Sequence, residues 1–384
     1  MHIAYVSETY PPEINGVSLT VARTVAYLRG RGHDVDLIRP RQAGETRGGD
    51  LCEWRSSGYP IPVYPDLRFG ISLPSTLAAR FARRGVELVH VATEGPLGWA
   101  AVAAAATLGV PSTSDFRTNF HRYSAYYGIG WLEPLIGSYL RRFHNKTRRC
   151  FSPTRETRNA LIASGFERVE VVGRGVDIER FDPARRSAAL RRGWGAGNGP
   201  VLLTVGRLAR EKNVELALRA FRAVRENDAT ARMVVVGDGP ARARLEREFP
   251  EASFAGTQTG VALAAHYASA DLFLFPSLSE TFGNVTLEAM ASGLPVVAFD
   301  VAAAREHVVD GVCGRTVIAG DEAAFIRASC ALTADFRALG PMRLAARAAA
   351  AALDWDSVLG RFEGELLDTV RSHESTRAAA ACLA

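Results

Sequence analysis

At 384 residues, with 47% apolar and 23% charged side chains, the chain exceeds what one hydrophobic core usually supports and has the balance of a folded protein, which excludes disordered and fibrous classes. A net charge of +5 and a pI near 9.1 suit anionic ligands or a membrane surface without indicating either, and no segment reads as nucleic-acid binding. The five cysteines, at 52, 150, 313, 330 and 382, lack C-x-x-C spacing, so reduced thiols are expected rather than a zinc site or disulfides.

The chain opens Met1-His2-Ile3-Ala4-Tyr5-Val6, with neither a basic leader nor an apolar run of membrane-spanning length, so a cytoplasmic location is expected. Residues 3–6 read as a short buried strand. A loop with Pro11, Pro12 and Gly16 follows, and then a helix whose Val21, Val25 and Leu28 share one face. Further strands are expected at 35–38, 88–91 and 169–172.

A strand near Val110 leads into Asp115-Phe116-Arg117-Thr118-Asn119-Phe120-His121. A loop histidine can donate a hydrogen bond or act as a base near neutral pH, although a lone one is more often structural. From 117 to 149 seven cations (Arg117, Arg122, Arg141, Arg142, Lys146, Arg148, Arg149) face one acid, Glu133, with Tyr123, Tyr126, Tyr127, Trp131, Tyr139 and Phe143 interleaved. Such a mixture can hold an anionic bilayer, each cation near the surface contributing about 1 kcal/mol. It equally describes a solvated basic face with its aromatics in the core.

The second half repeats the opening plan, with a strand at 201–205, a polar loop at 206–213 and a helix stripe of Val214, Ala217, Leu218, Phe221 and Val224. More strands are expected at 233–236, 272–275 and 296–299. Short apolar runs alternating with helices predict parallel sheets covered on both faces. The expected organisation is an α/β domain over 1–180, an Arg-, Ala- and Gly-rich linker at 181–200, and a second α/β domain over 201–355. A C-terminal helix at 356–372 packing back on the first domain and a frayed tail at 373–384 complete it.

Three segments of the second half carry chemistry. In Gly206-Arg207-Leu208 and Glu211-Lys212-Asn213, Arg207 offers a planar fork and Lys212 a point charge for phosphate oxygens, though alone they read as surface cations. In Gly237-Asp238-Gly239-Pro240 the glycines allow a backbone approach to a flat base, or a simple turn. The G-x-G-x-x-G fingerprint is absent, which argues against a dinucleotide. Glu280 and Glu288 bracket a helix start at about Gly283 whose free N–H groups, near Gly283, Asn284 and Val285, can cradle a phosphate. Glu288 is placed for ribose hydroxyls, as acids are in other nucleotide sites. Two glutamates eight apart, taken alone, describe a solvated helix face.

Together these segments resemble the retaining glycosyltransferases of family 4, of the two-domain GT-B class, in order and spacing from residue 1 to about 370. The Glu280–Glu288 segment is the specific part. The resemblance implies two Rossmann-like doubly wound domains facing across a cleft, with a nucleotide diphosphate sugar as substrate and no cofactor or metal. It implies Gly16 beside the donor phosphate and sugar, Arg207 and Lys212 on the diphosphate, and Gly237 and Gly239 near the nucleotide. It also implies Glu280 on the sugar, Phe282, Gly283 and Asn284 as backbone donors, Glu288 on the ribose, and His121 on the transferred sugar.

The leaving phosphate would then deprotonate the acceptor on the same face, without a protein nucleophile. Asp34-Val35-Asp36 and Asp354-Trp355-Asp356 match the D-x-D pattern of metal-dependent sugar transferases, but neither is flanked by other ligands, so both are expected to be structural. The opening SETYPPEINGVS and the segment DFRTNFHRYSAYYG look most like transferases that build mannosyl or glucosyl glycolipids. The expectation is a lipid or glycan acceptor, reached by peripheral binding at the inner face of the membrane. GDP-mannose, UDP-glucose and a UDP-sulfosugar remain open as donors, and a nucleotide-sugar 2-epimerase is the alternative reading.

Overall fold

A computed structural model of the chain describes residues 1–13, 16–42, 44–61, 64–117, 133–280 and 282–382. Two compact units divide it: Met1–Gly173 with Val358–Ala384, and Arg174–Ser357.

The first unit is built on nine strands: β1 (His2–Val6), β2 (Asp34–Pro40), β3 (Gly48–Gly49), β4 (Glu53–Ile61), β5 (Tyr64–Ile71), β6 (Leu88–Val91), β7 (Ser112–Asp115), β8 (Arg149–Ser152) and β9 (Val169–Val171). Their order is β3-β4-β2-β1-β6-β7-β8-β9, with β5 paired to β4. All pairs are parallel except those that β3 and β5 make with β4. Alternate residues of a strand point to opposite faces, and both faces here are covered. Ala4 and Val6 join a core with Val89 and Val91 under the helices Pro74–Arg84 and Pro96–Leu108. Ile3 and Tyr5 join another with Val21, Val25 and Leu28 of the helix Gly16–Gly30.

Two features of this unit escape an apolar-run reading. The strand expected near Val110 is Ser112–Asp115, polar at every position yet buried throughout. Two of its hydroxyls are satisfied internally, Thr113 by His90 at 2.9 Å and Ser114 by His144 and Thr147, each at 2.9 Å. The hairpin of β4 and β5 is the second, since neither strand carries a continuous apolar run.

The second unit holds a six-stranded, wholly parallel sheet: β10 (Val201–Val205), β11 (Arg232–Val236), β12 (Ser253–Gly256), β13 (Leu272–Phe275), β14 (Val296–Phe299) and β15 (Gly314–Val317), in the order β12-β11-β10-β13-β14-β15. Here too the strands feed two cores, Val201, Leu203, Phe273 and Val296 on one face and Leu202, Leu272, Leu274 and Val297 on the other.

The segment 181–200 is not a free linker. It belongs to the second unit and contains a helical turn at Pro183–Arg185 and a helix at Ala188–Gly193. Its anchors are the arginines that made it look solvated. Arg186 and Arg191 each reach a carboxylate oxygen of buried Asp271 at 2.8 Å and also donate to the carbonyls of Ala268, Ala270, Ser269 and Gly199. Guanidinium bonding to carbonyls needs no apolar face, so periodicity could not reveal it.

The tail differs as well. One helix runs over Trp355–Cys382, its part from Val358 onward belonging to the first unit, where Phe362 and Leu366 enter the core. Further on, His373 meets the carbonyl of Gly109 at 2.8 Å and Arg148 at 3.0 Å. The alanine-rich stretch beyond favours helix by propensity alone.

Candidate functional site

In parallel α/β sheets the loops at the carboxyl ends of the strands carry the ligand chemistry. After β10 and β11 of the second unit, two loops pack backbone to backbone. Gly206 donates to the Val236 carbonyl at 3.0 Å, Leu208 to Asp238 at 2.9 Å, and Ala241 to Leu208 at 3.0 Å. A Cβ on Gly237 would sit 1.9 Å from the Gly206 oxygen, and one on Gly239 2.6 Å from the Leu208 oxygen, both at positive φ. These glycines are therefore required by the joint between the loops, whatever approaches from outside. Arg207 extends from this joint, exposed.

Next along the edge, the Leu278 N–H donates to the Glu211 carbonyl at 3.0 Å, tying the loop after β10 to the one after β13. That tie brings Lys212 and Glu280 together. The Lys212 ammonium bonds Glu280 Oε1, and the Ser277 hydroxyl donates to the same oxygen at 2.8 Å. Both charged side chains are largely enclosed, 16% and 10% exposed, so the pair is less screened than a surface ion pair. Asn213, at φ 49°, turns the chain directly into the helix Val214–Asn227 and sets the end of the Lys212 loop.

The helix Asn284–Ala291 starts at Gly283, which sits at φ 91° and supplies no side-chain cap. Its first N–H groups are thus presented to whatever anion lies beyond them. Asn284 Oδ1 and Ser279 Oγ are buried without a hydrogen-bond partner among the described residues. Phe282 is buried, and its carbonyl accepts from Ala303 N at 2.8 Å.

Glu288 lies on the same helix and receives a hydrogen bond from the Tyr267 hydroxyl at 3.0 Å. Burial pushes its carboxyl up to about 7, against the opposing effects of Tyr267 and Arg180. Glu280, Lys212, Phe282, Gly283, Asn284 and Glu288 are therefore brought to one edge of the sheet, and Ser277 and Tyr267, which the sequence reading passed over, hold the two glutamates. A sequence signal for Ser277 exists, since it stands three residues before Glu280, whereas Tyr267 shares its helix with His266 and Ser269 and nothing local marks it out.

In the first unit Gly16 begins the helix Gly16–Gly30, where it is exposed. His121 lies outside the described residues, as do Arg122, Tyr123, Tyr126, Tyr127 and Trp131. Just before them, Asp115 is buried between Arg117, at 2.5 Å, and His90, at 3.1 Å. Burial opposes its charge, but Arg117 and His90 outweigh that and hold the carboxyl down at about 2.

The sequence reading also missed Glu8, after β1. Burial pushes Glu8 up to about 7, although the Leu97 and Gly70 N–H groups hydrogen-bond it. A Cβ on Gly95 would overlap the Glu8 carboxylate, so that glycine makes room for the acid at the start of the helix Pro96–Leu108.

Three of the four acids in the two D-x-D matches are engaged within the fold, and Asp356 is exposed. Asp34 pairs with Arg84 at 2.7 Å and Asp36 with Arg80 at 2.6 Å, while Asp354 caps the terminal helix by accepting from Ser357 N and Oγ at 2.8 Å. Among the described residues no group of three or more His, Cys, Asp or Glu side chains is arranged to hold a metal.

Among the described residues of 117–149, the cations do not all face solvent alone. Arg117 is held by neighbouring Asp115 and Arg149 by Glu365, while Arg148 bonds His373 yet stays exposed; Glu365 and His373 lie too far along the chain for a local count of charges to include. Arg141, Arg142 and Lys146 are exposed, as are Leu135 and Tyr139 on the helix Glu133–His144, whereas Phe143 is core. No helix among the described residues is long and apolar enough to cross a membrane.

Against known proteins, residues 14–180 match the family described as Glycosyltransferase Family 4 and residues 199–335 that described as Glycosyl transferases group 1. The chain is 35% identical over 379 residues to a GDP-mannose-dependent alpha-mannosyltransferase of Mycolicibacterium smegmatis, covering 95% of this chain and 98% of that protein. It is 30% identical over 369 residues to the GDP-mannose-dependent alpha-(1-6)-phosphatidylinositol monomannoside mannosyltransferase of the same organism, covering 89% and 92%. Among solved structures, sucrose-phosphate synthase from Thermosynechococcus elongatus superposes with a TM-score of 0.75 at 19% identity, over 97% of this chain and 99% of that one. Two α/β units, the family matches over residues 14–180 and 199–335, and 35% identity over 379 residues to a mannosyltransferase converge on one assignment: the chain belongs to glycosyltransferase family 4 and is a glycosyltransferase of GT-B fold.

Proposed function

We propose that the protein transfers mannose from GDP-mannose, with retention at the anomeric carbon, to a lipid or lipid-linked acceptor, and that it needs no metal ion. The observation that carries the reading is the enclosed Lys212–Glu280–Ser277 set beside the uncapped start of the helix Asn284–Ala291. A carboxylate held by a cation and a hydroxyl is fixed in orientation, as a contact to sugar hydroxyls must be. The helix start and Arg207 supply positive potential for the diphosphate. A lysine ammonium carries three donors, so Lys212 can bridge Glu280 and a phosphate oxygen.

In the reaction the acceptor oxygen bonds to C1 of the sugar while the C1–O bond to the diphosphate breaks on the same face. The hydroxyl proton passes to a phosphate oxygen of the departing nucleotide. Protein groups position and stabilise charge: Glu280 and His121 at the sugar, Arg207 and Lys212 at the diphosphate with Gly16, Phe282, Gly283 and Asn284 lining it, and Glu288 at the ribose. The names of the two mannosyltransferase relatives support GDP-mannose over UDP-sugars, transfer over epimerisation, and a lipid acceptor. The exposed Arg141, Arg142, Lys146, Leu135 and Tyr139 support peripheral contact with an anionic membrane.

Thermal shift with GDP, UDP and ADP tests the donor, since a ligand that binds only the folded state raises the midpoint. GDP is expected to stabilise most. Labelled GDP-mannose with a phospholipid extract should then give a labelled lipid in EDTA as in magnesium. Stabilisation by UDP alone overturns the donor, product confined to the aqueous phase overturns the lipid acceptor, and activity lost in EDTA and restored by manganese overturns metal independence.

A further inference from the structure

Tyr267 lies on the helix Gly260–Ser269 and is wholly buried, its ring against Phe181 at 5.6 Å and Phe273 at 5.7 Å. A buried phenol is costly unless its hydroxyl finds a partner. This one donates to Glu288 Oε2 at 3.0 Å, 21 residues away in sequence on a different helix. Around it the packing is apolar, so the hydroxyl has a specific reason to be there: a phenylalanine would fill the same space. We propose that Tyr267 is a positioning residue for the donor nucleotide, its hydroxyl occupying Oε2 of Glu288 and fixing the carboxylate so that the other oxygen accepts from a ribose hydroxyl. The inference rests on the assignment of Glu288 to the ribose made above.

The hydrogen bond also acts on the charge of Glu288. Burial raises that carboxyl, whereas Tyr267 from one side and Arg180 from another favour the ionised form, and these are the groups that act on it. Removing the phenol therefore moves the carboxyl further up, and the ionised fraction available to the ribose at neutral pH falls.

The test compares Tyr267→Phe, Glu288→Ala and Glu288→Gln with the wild type, using GDP-mannose as donor and measuring kcat and KM from pH 5.5 to 8.5. Tyr267→Phe is expected to raise the donor KM about tenfold at pH 7 with kcat within about twofold, and to shift the acidic limb of kcat/KM upward by about half a unit or more. The limb should vanish in Glu288→Gln, and in that background the further change Tyr267→Phe should leave KM unaltered. A donor KM unchanged in Glu288→Ala overturns the ribose assignment and this inference with it. A raised KM in Glu288→Ala beside an unshifted limb and unchanged KM in Tyr267→Phe overturns the positioning role alone.

Discussion

Lys212 and Glu280 stand 68 residues apart in sequence and bond directly, with Ser277 donating to the same carboxylate oxygen. One residue ends the loop after β10 and the other follows β13, and these strands are neighbours in the sheet. Strand adjacency therefore converts two unremarkable surface charges into a single enclosed pair.

Removing either member should be severe. Glu280→Ala is expected to lower turnover by about 10²-fold or more, with circular dichroism unchanged, because it deletes the oriented acceptor and leaves Lys212 without that partner. Lys212→Ala should cost a similar factor, and the double variant should lose less than the product of the two, since the residues act as a unit. Turnover near wild type in Glu280→Ala sinks the assignment of the sugar contact.

Glu8 predicts a pH-dependent stability. Its folded value of about 7 lies above the ordinary carboxylate range, so protonation favours the native state and the associated stability is lost as pH rises through 7. Glu8→Gln keeps an oxygen for the Leu97 N–H and carries no charge to bury. Urea unfolding should show the variant more stable than wild type at pH 8, by on the order of 1–3 kcal/mol, with the gap closing towards pH 5. An equal gap at both values would mean that the carboxyl is not protonated in the native protein.

Asp271 faces Arg186, Arg191 and Arg343, at 2.8, 2.8 and 3.2 Å, and accepts from Val201 N at 2.9 Å. Burial works against its charge, but Arg186 and Arg191 hold the carboxyl below its ordinary value. Asp271→Ala leaves three guanidiniums without their shared acid and should cost about 3–5 kcal/mol, read as a lower urea midpoint and as early proteolysis within 181–200. The contribution is present at neutral pH and is lost as pH falls through the carboxylate range. Unchanged resistance of that segment to protease would show that the acid does not anchor it.

Arg141 and Arg142 are the cations to change if the helix Glu133–His144 meets a membrane. Arg141→Glu with Arg142→Glu reverses two charges, each worth about 1 kcal/mol at an anionic surface, and should reduce sedimentation with phosphatidylglycerol vesicles at low salt by at least tenfold in affinity. Arg149→Glu instead confronts Glu365 and should lower thermal stability. If the wild type ignores such vesicles even at low salt, the membrane reading is overturned.

Much of the chain was legible in its sequence. Strands at 3–6, 35–38, 88–91, 201–205, 233–236, 272–275 and 296–299 announced themselves because a parallel strand buried on both faces must be apolar at successive positions. The uncapped helix start at Gly283 was legible for a similar local reason, since punctuation by glycine and proline is written within a few residues. Resemblance then added roles that no single motif could carry.

What stayed hidden was whatever depends on partners distant in the chain. Ser112–Asp115 looked polar and proved buried because His90, His144 and Thr147 answer its side chains. Arg149 belonged to a basic run and proved half-buried against Glu365. The segment 181–200 looked like a linker because its contacts are guanidinium to carbonyl rather than apolar. Sequence by itself determined the apolar periodicity, hence the two sheets, and the local signature of an uncapped helix start. Only the tertiary structure decided which charges are paired, because ion pairs and hydrogen bonds act over a few ångströms in space and are indifferent to separation along the chain.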